Sequence, residues 1–271
     1  MSDLWIWIWL PLLIGLTACD AYGQRGGTWA ARSGRWPANL GLFLLEIATT
    51  SLLTAGLVWT AAASNGAAPL GLALSALPLW GQIPVLLAVF GFASYWLHRI
   101  SHQLPLFWRF HRIHHSDPIV DPSTSLRHHP GEVALAFIVL QLVILALHPP
   151  PQAVAIVAVI ERCFAVATHT SVALPAWAER VLGMVFVTPL QHGVHHSDHA
   201  PETNTNYGTV LNIWDRIFGT FRARPVRGPS DFRQGLAEVP AAKAEDLVLL
   251  LVLPMMGRNI SAQERASGRD I

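Results

Sequence analysis

Residues Val85–Ser116 read VLLAVFGFASYWLHRISHQLPLFWRFHRIHHS. An apolar run passes directly into a stretch that carries His98, His102, His111, His114 and His115. The first two form HxxxH and the last three HxxHH, and a second HxxHH recurs at His192, His195 and His196. On an α-helix, positions i, i+3 and i+4 share one face. Each cluster is therefore expected to aim several imidazoles at one point. Neutral imidazole is a ligand for zinc, copper, iron and nickel. Eight clustered imidazoles exceed what one tetrahedral ion takes, so the pattern predicts a two-metal centre. All 13 histidines of the chain lie between His98 and His199, so no second site competes for them.

The rest of the composition says where this site sits. Of 271 residues, 52% are hydrophobic and only 13% are charged, against about 25% charged in a soluble domain. An all-α integral membrane bundle with a histidine-rich helical cap on its cytoplasmic side follows. A net charge of +1 without a basic stripe leaves no footprint for nucleic acid. Two cysteines, Cys19 and Cys163, are too few for an iron–sulfur cluster or an all-cysteine zinc site. The 11 tryptophans fall largely at the ends of apolar runs, where membrane interfaces place them.

Along the chain, residues 4–18 form the first apolar run. Leu16-Thr17-Ala18-Cys19 resembles a lipoprotein cleavage box, but Asp3 and the lack of Lys or Arg before the run favour a short membrane helix. A polar segment over 20–38 precedes a spanning segment from Asn39 to Ala63, which contains Glu46. An intramembrane carboxylate is either functional or turned toward a neighbouring helix. Pro78 and Pro84 divide the next apolar stretch into an interfacial piece at 70–81 and a helix from about Pro84. Residues 132–147 and 152–168 form a hairpin turned by Pro149-Pro150-Pro151, the second helix carrying Glu161 and Arg162. Residues 246–256 read as a surface-lying apolar patch, with a loose tail from Gly257. The expected division is membrane helices over 1–97, the catalytic region with the hairpin over 98–222, and a C-terminal tail over 223–271. Arg25, Arg32 and Arg35, then Arg99, Arg109, Arg112 and Arg127, then Arg216, Arg222, Arg224 and Arg227 cluster in the segments around the histidines. The turns at 64–68 and 149–151 are uncharged, so the positive-inside rule places all three clusters on the cytoplasmic face, in a bacterial inner membrane.

Beyond the clusters the chain carries Tyr95-Trp96, Arg127-His128-His129-Pro130-Gly131-Glu132, Thr168-His169, Asn206-Tyr207-Gly208 and Trp214-Asp215-Arg216-Ile217-Phe218-Gly219-Thr220. In this order the motifs resemble the fatty acid hydroxylase / sterol desaturase superfamily of membrane non-haem di-iron oxygenases, over roughly residues 35–222. The resemblance implies two iron ions, replaceable by zinc in a recombinant preparation, that use dioxygen and two electrons to hydroxylate or desaturate a lipid C–H bond. It implies as metal ligands His98, His102, His111, His114, His115, His192, His195 and His196, with His129 and His169 added by position. No catalytic residue beyond the ligands is implied. Two positions depart from the family pattern: Gly91 stands where an acid is common, and Ser171 where Asn is common.

The remaining groups have plainer readings. His128 and His199 are expected to support ligands or face solvent, and His148 at the proline turn has no metal role. Asp117, Glu132, Asp198, Glu202 and Asp215 are candidates to accept the outer N–H of ligand imidazoles. The chain has no GxGxxG, cysteine cluster or CxxCH. Electrons are thus expected from a separate reductase with a ferredoxin or cytochrome. The competing reading is a dinuclear hydrolase of a membrane lipid, in which two zinc ions activate water. A metal-holding transporter would need ionisable groups along a membrane path, and only Glu46 and Glu161-Arg162 answer to that.

Overall fold

The computed structural model describes residues 6–23, 33–63, 77–226, 228, 231–236, 239 and 243–256. Among them the chain is helical, with two isolated β-bridges and no strand. Four helices are long and apolar enough to cross a membrane: α2 (Trp36–Ala63), α3 (Leu79–Gln103), α5 (Pro130–Leu147) and α6 (Pro151–Thr168). A shorter apolar helix, α1 (Ile6–Gly23), lies against α6. α4 (Pro105–His115) follows α3 after one residue. Short helices α7 (Ala176–Leu182), α8 (Pro189–His195), α9 (Ala200–Thr203) and α10 (Ile213–Ile217) complete the cap, and α11 (Leu247–Val252) returns to it.

The spanning helices show their apolar side chains outward. Only 6% of the α5 window is buried, and Ile138, Leu142 and Leu145 are exposed. Such a surface suits hydrocarbon and not water. What is buried joins the helices: Leu86 and Phe90 of α3 pack on Ala153 and Val157 of α6, with Leu140 and Ile144 of α5 against them. Trp9 of α1 meets Val166 of α6 and Leu126.

Several boundaries differ from the sequence expectation. α3 begins at Leu79 and carries Pro84 inside it. Near a helix start a proline removes only one intrahelical bond, so it need not end the helix. Residues 79–81 are therefore the first turn of α3 and not an interfacial piece, while 70–76 lie outside the described residues. α1 runs on through the polar Asp20 to Gly23, and α2 starts at Trp36. The 246–256 patch is anchored: Leu250 is fully buried on Ala38, Leu42 and Ile113. The 64–68 turn and the tail from Gly257 fall outside the described residues.

The arginines assigned to a membrane edge also differ. Arg35 is 1% exposed and pairs with Asp117 and Asp121. Arg127 is fully buried and donates to Ile113 O (2.9 Å), Asn39 Oδ1 (2.8 Å) and Ser116 Oγ (2.8 Å). Asn39 also donates to Ser123 Oγ at 2.9 Å, and Thr124 to Asp117 Oδ2 at 2.7 Å. These bonds tie the start of α2 to the segment that follows His115, a 3₁₀ turn at Pro122–Leu126 capped by Asp121. Arg25, Arg32 and Arg227 lie outside the described residues.

Removing one partner of a buried ion pair costs more than the pair contributes, because a charge is left buried alone. Arg35→Met should therefore destabilise the protein by about 3–5 kcal/mol. Thermal unfolding in detergent should drop clearly for this variant and hardly at all for Arg224→Met at an exposed position.

Candidate metal centre

α3 brings His98 and His102 to its last turns, and α4 presents His111, His114 and His115. α8 presents His192 and His195, with His196 at its C-cap. His169 caps the end of α6. Nine of the ten histidines implied as ligands come together, in two groups whose ligand atoms lie within 4.8 Å of one another: His98, His102, His111, His115 and His195, and His114, His169, His192 and His196.

Neither HxxHH serves a single point, contrary to the expectation from sequence. At about 100° per residue, positions i and i+4 differ by about 40°, while i+3 lies about 60° to the other side. His111 and His115 accordingly enter the first group and His114 the second; His192 and His196 enter the second and His195 the first. Each short helix thus serves both groups and sets their spacing. The groups touch where His115 stacks on His196, ring centroids 4.6 Å apart.

Hydrogen bonds select the tautomers. His98 Nδ1 is 2.8 Å from Tyr207 O, His195 Nδ1 2.7 Å from Thr205 O, His169 Nδ1 2.6 Å from Ala165 O, and His111 Nδ1 2.7 Å from Glu132 Oε1. Carbonyl and carboxylate oxygens only accept. These rings therefore carry the proton on Nδ1 and a lone pair on Nε2, the orientation seen around metal-bound histidines. In the first group the Nε2 atoms of His98, His111, His115 and His195 are buried without a hydrogen-bond partner among the described residues. In the second, His169 Nε2 lies 3.2 Å from His114 Nε2 and 3.0 Å from His192 Nε2, and His192 Nε2 lies 3.2 Å from His196 Nε2. Nitrogens held about 2.1 Å from a shared ion are about 3.0–3.4 Å from one another. The spacing fits a cation in the middle, so both groups can hold a metal ion.

The electrostatics agree. Burial first, then the neighbouring imidazoles, hold His114, His115, His192, His195 and His196 well below the ordinary histidine value. Burial lowers His169 to about 4. All these rings are neutral at physiological pH, which is the ligating state.

His129 is not in either group. Its Nδ1 accepts the Gly131 N–H at 3.0 Å, as the N-cap of α5, and its Nε2 lies 3.2 Å from Leu251 O. Its neighbour His128 stacks instead on His114, centroids 4.8 Å apart. The sequence signal was Pro130: a proline at the first helical position makes the residue before it the cap. His148 ends α5 in a left-handed conformation (φ 46°), away from the centre.

Of the five acids expected behind the ligands, Glu132 is the one whose direct bond to one of these histidines is seen among the described residues. Asp215 acts at one remove: it accepts the N–H groups of Tyr207 (2.7 Å) and Gly208 (2.8 Å), and so fixes the carbonyl that meets His98. Glu202 accepts from Ser197 Oγ and Asp117 pairs with Arg35, while Asp198 is exposed. Ser171, one of the two departures, gives its N–H to Asp20 of α1 at 2.9 Å, and Thr170 Oγ1 bonds the same carboxylate. Gly91 faces Trp214, whose Nε1 a Cβ there would meet at 3.5 Å, an ordinary contact.

A cavity of about 420 Å³ opens from the imidazoles between α2, α3, α5 and α6, within the usual range of about 300–1,000 Å³ for ligand sites. His98, His111, His114, His169 and His192 line one end, and Phe90, Ala136, Phe137 and Leu140 the part toward the hydrocarbon.

The family model described as fatty acid hydroxylase matches residues 83–220, the segment that supplies all nine histidines. The chain belongs to the fatty acid hydroxylase family. It is 28% identical to the ornithine lipid hydroxylase OlsE of Rhizobium tropici over 86% of this chain and 80% of that protein. It is 34% identical to the alkylglycerol monooxygenase of Homo sapiens over 49% of this chain, which spans 28% of that protein's length. Against a Delta(7)-sterol 5(6)-desaturase of Aspergillus fumigatus it is 28% identical over 68% of this chain and 52% of the relative. No solved structure matches the chain. Family membership makes this a membrane lipid hydroxylase or desaturase, an oxygen-dependent oxidoreductase.

His169→Ala should lower the metal bound per chain from two ions toward one, as measured by elemental analysis of purified protein. His129→Ala should keep the full metal content and cost only a helix cap, about 0.5–2 kcal/mol.

Acid should release the metal within a defined window. Unfolded histidines titrate near 6.5, whereas folded His169 does so at about 4. Below about pH 6.5 the unfolded chain binds more protons, so stability falls with falling pH. Metal content and unfolding temperature should be level above that pH and fall from there toward 4. A metal content unchanged down to pH 4 would contradict the neutral-imidazole assignment.

Proposed function

We propose that this chain is a membrane-bound di-iron enzyme that hydroxylates or desaturates a C–H bond of a lipid. The observation that carries the reading is the meeting of nine imidazoles, in two adjoining groups, with a cavity that opens toward the hydrocarbon. His98, His102, His111, His115 and His195 would hold one iron ion, and His114, His169, His192 and His196 the other. Imidazole alone does not choose among zinc, copper and iron. Oxidation of an unactivated C–H bond requires a redox metal, and zinc has no redox chemistry. Bound iron supplies the activation of dioxygen.

The chain's own residues do the rest. The carbonyls of Tyr207, Thr205 and Ala165 and the Glu132 carboxylate turn the rings so that Nε2 faces inward. The apolar wall from α3 and α5 receives the hydrocarbon part of the substrate sideways from the bilayer and keeps bulk water from the reacting carbon. The same centre serves hydroxylation or desaturation according to which hydrogen the cavity wall places nearest. One relative is named an ornithine lipid hydroxylase and another an alkylglycerol monooxygenase, which supports a glycerolipid or aminolipid over a soluble substrate. Electrons come from a separate reductase with a ferredoxin or cytochrome, since the sequence holds no flavin, haem or iron–sulfur motif. We place the chain in a bacterial inner membrane with the histidines on the cytoplasmic side, where such donors are found.

The test is direct. The iron-loaded protein, given a lipid extract, dioxygen and a reductant-fed ferredoxin, should consume dioxygen and yield a lipid one oxygen heavier or two hydrogens lighter. Without the donor, turnover should stop after at most one cycle, and the zinc form should be inert. Hydrolysis of an ester or phosphate bond by the zinc form without dioxygen would instead establish the dinuclear hydrolase.

A further inference from the structure

The cavity below the imidazoles has one wall that the oxidation of a plain hydrocarbon does not require. Glu46 of α2 and Arg162 of α6 form an ion pair there, Arg162 Nη2 to Glu46 Oε1, inside membrane-spanning segments. Thr50 and Glu161 line the cavity beside them. Apolar side chains of α3 and α5, among them Phe90, Leu97, Ala136, Phe137 and Leu140, also line it. Charges at this depth are costly to keep and are expected to face a site or a partner. Here they face both: each other and the cavity.

Two carboxylate oxygens on this cavity are buried and open to a donor. Glu46 Oε1 is taken by Arg162, but Glu46 Oε2 is buried with no hydrogen-bond partner among the described residues, and His128 Nδ1 lies 4.0 Å from it. Glu132 Oε2, also on the cavity, is buried without a hydrogen-bond partner too, its other oxygen being held by His111. With Glu161, three carboxylates and one guanidinium line the cavity. A buried acceptor with no donor costs about 1–3 kcal/mol, and more when charged. A ligand that brings a donor removes that cost; one that brings only acceptors leaves it in place.

We propose that the Glu46–Arg162 wall is a recognition site for a hydrogen-bond-donating polar group, a hydroxyl or protonated amine, carried by the lipid that the centre oxidises. This deepens the oxygenase reading and rests on it for the word substrate. The position fits: Arg162 precedes His169 by seven residues, about 10 Å along α6 at 1.5 Å per residue. Glu46 meets His128, which stacks on His114 of the second group. The polar group is thereby held beside the centre while the tail lies along Phe90, Phe137 and Leu140. A lipid lacking a donor would leave Glu46 Oε2 unpaired and bind more weakly.

Binding can be read without turnover. The full chain, loaded with zinc and reconstituted in phosphatidylcholine vesicles, is titrated with dodecylamine, dodecanol, laurate or dodecane at equal bilayer content. The rise in unfolding temperature reports binding to the native state. The amine, the alcohol or both should stabilise the protein well beyond laurate and dodecane. Glu46→Gln should weaken the donor ligand about tenfold, the usual loss for a hydrogen bond to a charged group, with the dodecane response unchanged. Comparison with the parent protein in the same vesicles cancels partitioning. Should Glu46→Gln fail to retain metal, Glu161→Gln, which leaves the ion pair in place, carries the test in the same direction. Equal responses to all four probes, a preference for laurate, or a ranking unchanged in the variant would overturn the proposal and leave the pair as a strut between α2 and α6. A donor lipid that binds as expected yet is never oxidised by the iron form would sink the oxygenase reading and spare the site.

Discussion

Everything in this fold answers to the mutual crowding of imidazole nitrogens. In the second group, His114, His192 and His169 hold their Nε2 atoms 3.0–3.2 Å apart. Neutral rings have one N–H and one lone pair each, so they cannot satisfy one another from all sides. The Nδ1 atoms of His114, His192 and His196 are buried without hydrogen-bond partners among the described residues. A cation held between them would draw the lone pairs inward and would couple metal affinity to folding free energy. The surrounding structure resists the relaxation that would otherwise spread the rings apart.

That resistance comes from buried polar bonds rather than from a large apolar core. The spanning helices turn most of their hydrophobic surface to lipid, so the cap is not squeezed together by apolar burial of the usual kind. Arg35, Asn39 and Arg127 lock the segment after His115 to α2, and Asp215 locks the Tyr207 loop to His98. Buried networks of this sort contribute modestly to stability when complete and are expensive when broken. Their value here is geometric, since they fix the elements that carry the imidazoles.

What was legible in the sequence were the features with a period. Histidines at i, i+3 and i+4, apolar runs of spanning length and the proline turn at 149–151 all reported their places. The division of each HxxHH between two histidine groups was implicit in the same helical angles, but only the third dimension shows that His115 and His196 stack where the groups meet. The carbonyls of Thr205, Tyr207 and Ala165 were not legible, because every residue has a carbonyl and no side-chain signal marks those that receive a ligand's N–H. The roles of Arg35 and Arg127 were hidden for a related reason. An arginine near a membrane edge looks the same in sequence whether it meets water or a buried aspartate.

The pair His128-His129 shows how local rules decide between neighbours. Pro130 opens α5 and makes His129 its cap, so that ring is spent on the Gly131 N–H. His128, one residue earlier, is released to stack on His114 and to approach Glu46. It thereby bridges a histidine of the second group to the ion pair between α2 and α6. The adjacent histidines thus divide the labour that one motif suggested: one starts a helix, and the other joins the histidine centre to the polar wall of the cavity. His128 is stacked face to face on His114 and lies 4.0 Å from Glu46, so a single ring lies between the histidine centre and the membrane ion pair.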